Sequence, residues 1–341
     1  MSLQQNPTQP LASQYDALLL DLDGVVYVGH DAVAGVIDAL NYAHAEYGVA
    51  LTAVTNNAAR SSQVVAAHLQ ELGLNVDASD VVTSAQAAAT ELAKLLKPGS
   101  RVFVLGSRDL MTEVQNVGLV ASQEFSEDYD AVVQGYWPDM PWRMLGQAAG
   151  ILSQTNCLWV ATNMDLTIPT QWGTSPGNGT MVQALSVATK REPHLVAGKP
   201  DTPLMRESIE RTNSQRPLVI GDRLDTDILG AYRTGIDSLF VFSGVSSVRD
   251  LVSATPEMRP TYIGWSASSV LDVHKDLVEI NGTLTLNNWA LSNQTLTGTG
   301  DALDAIRVVA TATWHDLCTI EQGLSSLSAL GIDVESVGIG R

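Results

Sequence analysis

Leu18-Leu19-Leu20-Asp21-Leu22-Asp23-Gly24-Val25-Val26-Tyr27 is the stretch on which the fold turns. An apolar run of strand length ends in two carboxylates spaced i, i+2, and a glycine follows. A short apolar run before turn residues reads as a buried strand. If the pleat persists, both carboxylates point to the same side. In an open α/β sheet, ligands gather beyond the carboxyl ends of the strands. Two ionised acids this close repel each other and call for a cation or a shared proton. A solvated turn after a strand satisfies the same residues, because Asp and Gly are ordinary turn formers. The rest of the chain decides between the two.

With 341 residues, the chain is long enough for two or three domains. Hydrophobic residues make up 45%, enough for a real core. The formal net charge of −18 argues against nucleic acid and anionic membrane as partners. An anionic substrate then needs local positive charge, from a metal and a lysine. The first Lys or Arg is Arg60, so the positive n-region of a signal peptide is missing. No apolar stretch reaches the roughly 18 residues a membrane span needs. Cys157 and Cys318 lack metal-ligand spacing and read as buried free thiols. The expectation is a soluble cytoplasmic protein.

Residues 1–14 are polar with two prolines and read as a loose tail. The strand into Asp21 is followed by a helical pattern at Val33, Ile37 and Leu40. Val49 to Val54 reads as a second strand, delivering Thr55-Asn56-Asn57. Val65, Leu69 and Leu72 share a helix face, with Gly73 just past its end. Ser84 is a candidate cap for a helix running to about Leu96. Strands are expected at 101–105, 130–135 and 158–162, and helices near 108–117, 141–154 and 178–190. Leu195-Val196 leads to Gly198-Lys199-Pro200, and Thr202-Pro203 opens a helix in cap-then-Pro order. Leu218-Val219-Ile220 delivers Gly221-Asp222-Arg223-Leu224-Asp225-Thr226-Asp227. This alternation argues for parallel sheets covered by helices. From about Ser266 the pattern changes to a small α+β piece. It has a half-buried strand around Leu284 and Leu286, a helix through Leu303 to Leu317, and a last strand at Ile332 and Val334.

Four strand ends therefore carry polar clusters: Asp21/Asp23, Thr55/Asn56/Asn57, Lys199, and Asp222/Asp227. Phosphoryl transfer asks for a similar set: a nucleophile, a cation held by oxygen ligands, donors for the phosphoryl oxygens and a fixed positive charge. Phosphate-monoester hydrolysis is among the slowest uncatalysed reactions. A single general acid, worth about 10²–10⁴, does not suffice. Covalent catalysis and electrostatic stabilisation must act together. Taken singly, each cluster has a plainer reading. Lys199 could be a solvated turn lysine, Asp222 and Asp227 could favour a helix N-terminus, and Asn56-Asn57 could form a turn.

In order, and each after an apolar strand, these four motifs resemble the haloacid dehalogenase superfamily of aspartyl phosphatases. The Thr-Asn-Asn and Gly-Asp-Arg-x-x-Thr-Asp forms are similar to the branch holding the NagD-like, p-nitrophenylphosphatase and phosphoglycolate-phosphatase enzymes (class IIA, with a C2-type cap). The resemblance covers residues 15–265. It implies a discontinuous Rossmann-like core at 15–85 and 196–265 with an inserted α/β cap at 86–195; residues 266–341 lie outside the resemblance and read as a small α+β extension. It also implies roles. Asp21 attacks phosphorus, and Asp23 protonates the leaving alcohol and then activates water. Mg²⁺ is held by the Asp21 carboxylate, the Asp23 carbonyl and Asp222. Thr55 and Asn56, with Asn57 beside them, serve the phosphoryl oxygens. Lys199 offsets the charge, and Asp227 orients Lys199 or a metal-bound water from behind. Ala58-Ala59 replace the hydroxyl residues that often follow Thr-Asn-Asn, which leaves one phosphate contact open.

In the insert, Asn163 and Asp165 follow a strand, and Asn178 opens a helix whose free N–H groups suit an anion. All three are candidate substrate contacts; for Asn178 a plain glycine-rich turn and cap fits equally well. Trp137, Trp142, Trp159 and Trp172 are expected to pack in the insert's core, with a stacking platform for a ring as the alternative. His30, His44 and His68 show no ligand spacing. The whole architecture, extension included, resembles actinobacterial members described as glycerol-3-phosphate phosphatases. Glycerol 3-phosphate is thus the lead substrate, with phosphoglycolate and sugar phosphates as alternatives. A phosphotransferase or mutase, or a phosphoester sensor without turnover, would use the same scaffold. The sequence carries no reading of oligomeric state; a homodimer is implied by resemblance alone.

Overall fold

The computed structural model describes residues 8–170 and 172–336. The chain divides into two compact units. The first comprises Met1–Ala53, Gln70–Asn75 and Thr212–Arg341; the second comprises Val54–Leu69 and Val76–Arg211. Both are α/β.

The first unit is built on a parallel sheet. Its strand order is Tyr262–Gly264, Asp237–Val241, Pro217–Gly221, Ala17–Leu20 and Ala50–Thr55, the last two residues of Ala50–Thr55 counting with the second unit. Leu18 pairs with Leu218 and Leu20 with Ile220 on one side, and Leu20 with Ala53 on the other. All four residues of Ala17–Leu20 are buried, as the uninterrupted apolar run requires of a central strand. The chain leaves this strand in one direction, to Ala50–Thr55, and later returns on its other side, at Pro217–Gly221. The order therefore reverses between Asp21 and Asp222, a place where open α/β sheets bind ligands. The Asp16 carboxylate pins this register at the opposite end, accepting from the backbone N–H of Gln215 and Arg216 and from the Ser214 hydroxyl. Burial pushes the Asp16 carboxyl upward, but those donors outweigh it and hold the group below its ordinary value.

Residues 266–336 pack within the first unit. A four-stranded antiparallel sheet (Val278–Ile280, Thr283–Leu286, Trp289–Ser292, Thr295–Gly298) precedes the helices Ala302–Trp314 and Ile320–Ala329. Its Leu284, Trp289, Ile306 and Leu327 form one buried cluster with Phe240, Phe242 and Leu251 of the parallel-sheet part. Each large apolar side chain buried there contributes about 1.5–3 kcal/mol, and most of the cluster comes from the extension. Net stabilities are only about 5–15 kcal/mol. A chain truncated after residue 265 is therefore expected not to accumulate as a folded protein. Recovery of soluble, cooperatively melting truncated protein would overturn this.

The second unit carries a five-stranded parallel sheet. Its order is Leu195–Val196, Leu158–Ala161, Ala131–Gln134, Arg101–Leu105, Val120–Ser122. Trp142–Gln154 and Asn178–Thr189 bury Ile151, Leu152, Val182 and Leu185 with Phe103, Val132 and Trp159 of the sheet. A hairpin, Thr167–Thr170 with Gly173–Pro176, lies between Leu158–Ala161 and Asn178–Thr189 in sequence.

Several local expectations fail for identifiable reasons. Within the supposed tail, Leu11–Gln14 forms a 3₁₀ turn whose Leu11 and Ala12 are fully buried, and the Leu11 N–H donates to the Asp272 carbonyl at 2.9 Å. Two apolar residues outweigh the two prolines; residues 1–7 lie outside the described part. The helix Ser84–Leu95 is capped by Thr83, not Ser84. The Thr83 hydroxyl accepts from the Gln86 N–H, and the Gln86 side chain accepts from the Thr83 N–H. No strand forms at Ile332 and Val334. Val334 is nonetheless buried, and its carbonyl accepts from the Arg249 N–H. Of the four tryptophans of the insert, Trp159 is fully buried, while Trp142 and Trp172 are more than four-fifths exposed. Cys157 and Cys318 are buried free thiols. No helix among the described residues is long and apolar enough to cross a membrane.

Candidate active site

In the first unit, adjacent parallel strands deliver Asp21 and Asp222 side by side. The Asp21 N–H still donates to the Ile220 carbonyl at 2.9 Å, so the sheet's pairing reaches the acid itself. Asp21, Asp222 and Asp227 each present a carboxylate oxygen within 4.8 Å of the others. Asp222 and Asp227 are buried and Asp21 is half-buried. Asp227 comes from a single π-helical turn, Leu224–Ile228, a rare geometry often found at functional sites. Its carboxylate accepts from the Arg223 N–H at 3.2 Å. The Asp222 carboxylate accepts from the Val245 N–H at 2.6 Å.

Glycines make room for these acids. Gly24 sits at φ 88°, and a Cβ there would come within 2.6 Å of Asp222 Oδ2. A Cβ on Gly244 would land on the same carboxylate, and one on Gly221 on Asp227. The turn after Asp23 is thus doubly committed to glycine, by backbone sign and by space. Three hard oxygen donors of like charge in one small volume suit a divalent cation such as Mg²⁺ or Ca²⁺. The Asp23 side chain is exposed and stands outside this group. Asp227, expected behind the ligands, has a carboxylate oxygen within 4.8 Å of those of Asp21 and Asp222. The sequence signal was present: a second acid five residues after Asp222, on a turn too tight to carry it away.

In the second unit, the loop after the Ala50–Thr55 strand is held by a dense polar network. Thr55 is buried, and its hydroxyl accepts from the Asn57 N–H at 3.1 Å. The Asn57 side chain accepts from the Ala59 N–H at 2.8 Å. Asn56 binds the Lys199 backbone at both ends of its amide, accepting from the N–H at 2.8 Å and donating to the carbonyl at 3.0 Å. Its remaining donor contact is the Asp165 carboxylate at 3.2 Å. The Asn56 side chain thus locks Lys199 to the loop. Lys199 is buried, with its Nζ donating to the Val54 carbonyl at 3.0 Å. A buried ammonium is retained only where anionic or carbonyl groups stabilise it.

The comparisons with known proteins agree with this arrangement. A profile described as haloacid dehalogenase-like hydrolase matches residues 18–120, and a second, HAD-hydrolase-like, matches residues 196–272. The D-glycerol 3-phosphate phosphatase of Mycobacterium tuberculosis is 42% identical over 320 residues, covering 94% of this chain and 86% of that protein. The chain belongs to the haloacid dehalogenase-like hydrolases. The crystal structure of the Mycobacterium tuberculosis glycerol phosphate phosphatase in complex with magnesium superposes with a TM-score of 0.83 at 39% identity, covering 94% of this chain and 99% of that one. An acid sugar phosphatase of Staphylococcus aureus is 32% identical over 252 residues, covering 73% of this chain and 94% of that protein.

Within this haloacid dehalogenase-like chain, the three insert candidates are hydrogen-bonded to one another and to the Thr-Asn-Asn loop. The Asn163 amide donates to the Asn56 carbonyl at 2.7 Å, and its oxygen accepts from the Asp165 N–H at 3.1 Å. The Asn178 amide donates to the Asn163 carbonyl at 2.8 Å and to the Gln134 carbonyl at 3.5 Å. Asp165, a carboxylate, holds the Asn56 amide. Asn163, Asp165 and Asn178 thus form a relay that fixes the Asn56 loop. The physical reason is burial: carbonyls sealed under a loop need donors, and asparagine amides supply them. Sequence reasoning missed Gln134, which ends the strand Ala131–Gln134 and is almost wholly buried. A lone amide closing an apolar run was its one signal.

Proposed function

We propose that the chain is a Mg²⁺-dependent phosphatase that hydrolyses a small phosphate monoester through an aspartyl-phosphate, with glycerol 3-phosphate as the lead substrate. The observation that carries this reading is the group formed by Asp21, Asp222 and Asp227 at the reversal of strand order. The likeness to a glycerol 3-phosphate phosphatase over nearly the whole chain supports the substrate, and the likeness to an acid sugar phosphatase keeps sugar phosphates as the alternative.

In this reading the Asp21 and Asp222 carboxylates, with the Asp23 carbonyl, hold Mg²⁺, and Asp227 either joins them or orients a bound water. When bound, the ion would withdraw charge from the phosphoryl oxygens and favour the ionised form of Asp21. An Asp21 oxygen attacks phosphorus, and the bond to the alcohol oxygen breaks. Asp23, exposed and outside the carboxylate group, gives its proton to the departing alkoxide. It then takes a proton from the water that cleaves the aspartyl-phosphate, which regenerates both acids. Lys199 supplies fixed positive charge, and the Thr55 hydroxyl and the loop it organises serve the phosphoryl oxygens. The core, cap and extension boundaries, the cytoplasmic setting and a homodimer belong to the same proposal.

The test is phosphate release from a panel of small phosphoesters, with Mg²⁺ and with EDTA. Release that requires Mg²⁺ and is fastest with glycerol 3-phosphate is expected. Phosphate moved onto an added alcohol instead of water would turn the reading towards transfer, and no release from any compound would end it.

A further inference from the structure

Three strand-end segments of the first unit meet at the carboxylate group: 21–24, 222–227 and 243–246. The third carries no acid, and the phosphatase reading leaves it without a role. It follows the strand Asp237–Val241, which pairs in parallel with Pro217–Gly221. The glycines show how close the backbones come. A Cβ on Gly24 would lie 2.9 Å from the Gly244 Cα and 2.6 Å from Asp222 Oδ2. The segment also grips Asp222. The Val245 N–H donates to its carboxylate at 2.6 Å, and the Ser246 N–H to its carbonyl at 3.1 Å.

Ser243 opens this segment. It is fully buried, and its hydroxyl donates to the Gly24 carbonyl at 2.6 Å. Gly24 directly follows Asp23. The turn they share closes on itself, with the Val26 N–H donating to the Leu22 carbonyl at 2.9 Å and the Gly24 N–H to the Tyr27 carbonyl at 2.8 Å. Those bonds set the shape of the turn, and the Ser243 bond ties it to a neighbouring strand end. Ser243 is itself held on both flanks. Phe242 is fully buried with its ring centroid 4.9 Å from that of Phe240, and Ser247 caps the helix Val248–Val252 in a reciprocal pair with Asp250. A buried hydroxyl costs free energy unless it is hydrogen-bonded. Here it is spent on the turn that carries an acid.

We propose that Ser243 is a positioning residue: by holding the Gly24 carbonyl, it aims the Asp23 carboxyl at the departing alcohol oxygen. The proposal rests on the phosphatase reading and deepens it, because it adds a residue to the proton-transfer step. Asp23 is exposed, so its direction depends on the backbone beneath it. A general acid acts only within hydrogen-bond reach of the atom it protonates, and a misplacement of about 1 Å can cost about 10²-fold. Ser243→Ala takes the hydroxyl donor from a buried carbonyl, and the turn moves to find another. The substitution removes one oxygen and leaves Phe242 and the Ser247 cap in place, so the variant is expected to fold.

The experiment compares kcat/KM of Ser243→Ala and the parent enzyme on glycerol 3-phosphate and on p-nitrophenyl phosphate. This ratio reports the steps up to loss of the leaving group. The glycerol alkoxide is strongly basic and needs a proton as it leaves, whereas p-nitrophenolate departs as a stable anion and needs little help. The later duty of Asp23, on water, falls after the leaving group has gone and does not enter. The expected result is a loss of about 10-fold or more on glycerol 3-phosphate, with p-nitrophenyl phosphate within about 2-fold. Equal losses on both esters would make Ser243 a general support of the site, and no loss on either would mean that the turn is set without it. Either result overturns the proposal. Amide hydrogen exchange of the metal-free proteins gives a readout independent of turnover. Exchange faster by about 10-fold or more at the Gly24 and Val26 N–H groups, with the helix Val36–Tyr47 unchanged, supports the proposal. Unchanged exchange at the turn, or acceleration in both places, sinks it. A parent that releases phosphate from neither ester fails the phosphatase reading, and the proposal falls with it. A parent whose Mg²⁺-dependent release drops equally on both esters in the variant fails the proposal alone.

Discussion

Asp21→Asn is expected to remove phosphatase activity by on the order of 10⁴-fold or more, the scale on which covalent enzymes lose rate when their nucleophile is taken away. The carboxamide has nearly the volume of the carboxylate but cannot attack phosphorus or leave as an acid anhydride would. It also withdraws one anionic oxygen from the group shared with Asp222 and Asp227. The fold gives no reason for collapse. The Asp21 backbone N–H keeps its bond to Ile220, and the buried residues of Ala17–Leu20 are untouched. One fewer negative charge in a crowded acid cluster should, if anything, raise the melting temperature in the absence of metal. The measurements are phosphate release and thermal unfolding of the same preparation. An inactive, well-folded variant is the expected outcome. A variant that retains more than about one hundredth of the activity would remove Asp21 from the nucleophilic role.

What the sequence revealed and what it concealed divide along a physical line. Backbone regularity was legible. Ala17–Leu20, Ala50–Thr55 and Pro217–Gly221 announce themselves as short apolar runs ending in polar residues, and their order along the chain places Asp21 beside Asp222. The acid spacing after Ile220 was legible too. Side-chain partnership was not. Asn56 reads as a phosphate donor because donors are what the loop needs. Only in three dimensions does its amide turn out to be committed to the Lys199 backbone and Asp165. Asn163, Asp165 and Asn178 look like a binding loop for the same reason that they make a good brace: polar side chains at a strand end and a helix start. The extension shows the other limit. Its helices and strands follow from periodicity, but nothing in one dimension says that Trp289 and Ile306 share a core with Phe240. Gln134 left only a faint mark, one amide after Ala131-Val132-Val133.

The second large effect concerns charge and metal together. Asp222→Asn is expected to invert the order of stability between apo and Mg²⁺-supplied protein. Two carboxylate oxygens 4.8 Å apart, the outer limit for this group, repel by roughly 3 kcal/mol at an effective dielectric constant near 20, and Asp222 has two such neighbours. That is a large share of a typical net stability, so the group is at ease only with a cation or a retained proton. Without metal, the Asp222→Asn variant sheds this repulsion. Its new carboxamide can still accept from the Val245 N–H and fits the space left by Gly24 and Gly244. It should therefore melt at or above the parent. With Mg²⁺ at about 100 times the dissociation constant, the parent gains about 2.7 kcal/mol, or about 4 °C for a chain of this length, while the variant gains little. Turnover should fall about 10³-fold, since the variant loses a ligand that positions the ion. Thermal unfolding of both proteins across a Mg²⁺ titration, with EDTA as the zero point, measures the effect. Curves that cross place the ion on Asp222. Curves that stay parallel would move the metal away from the Asp21–Asp222–Asp227 group, and the mechanism built on it would go with them.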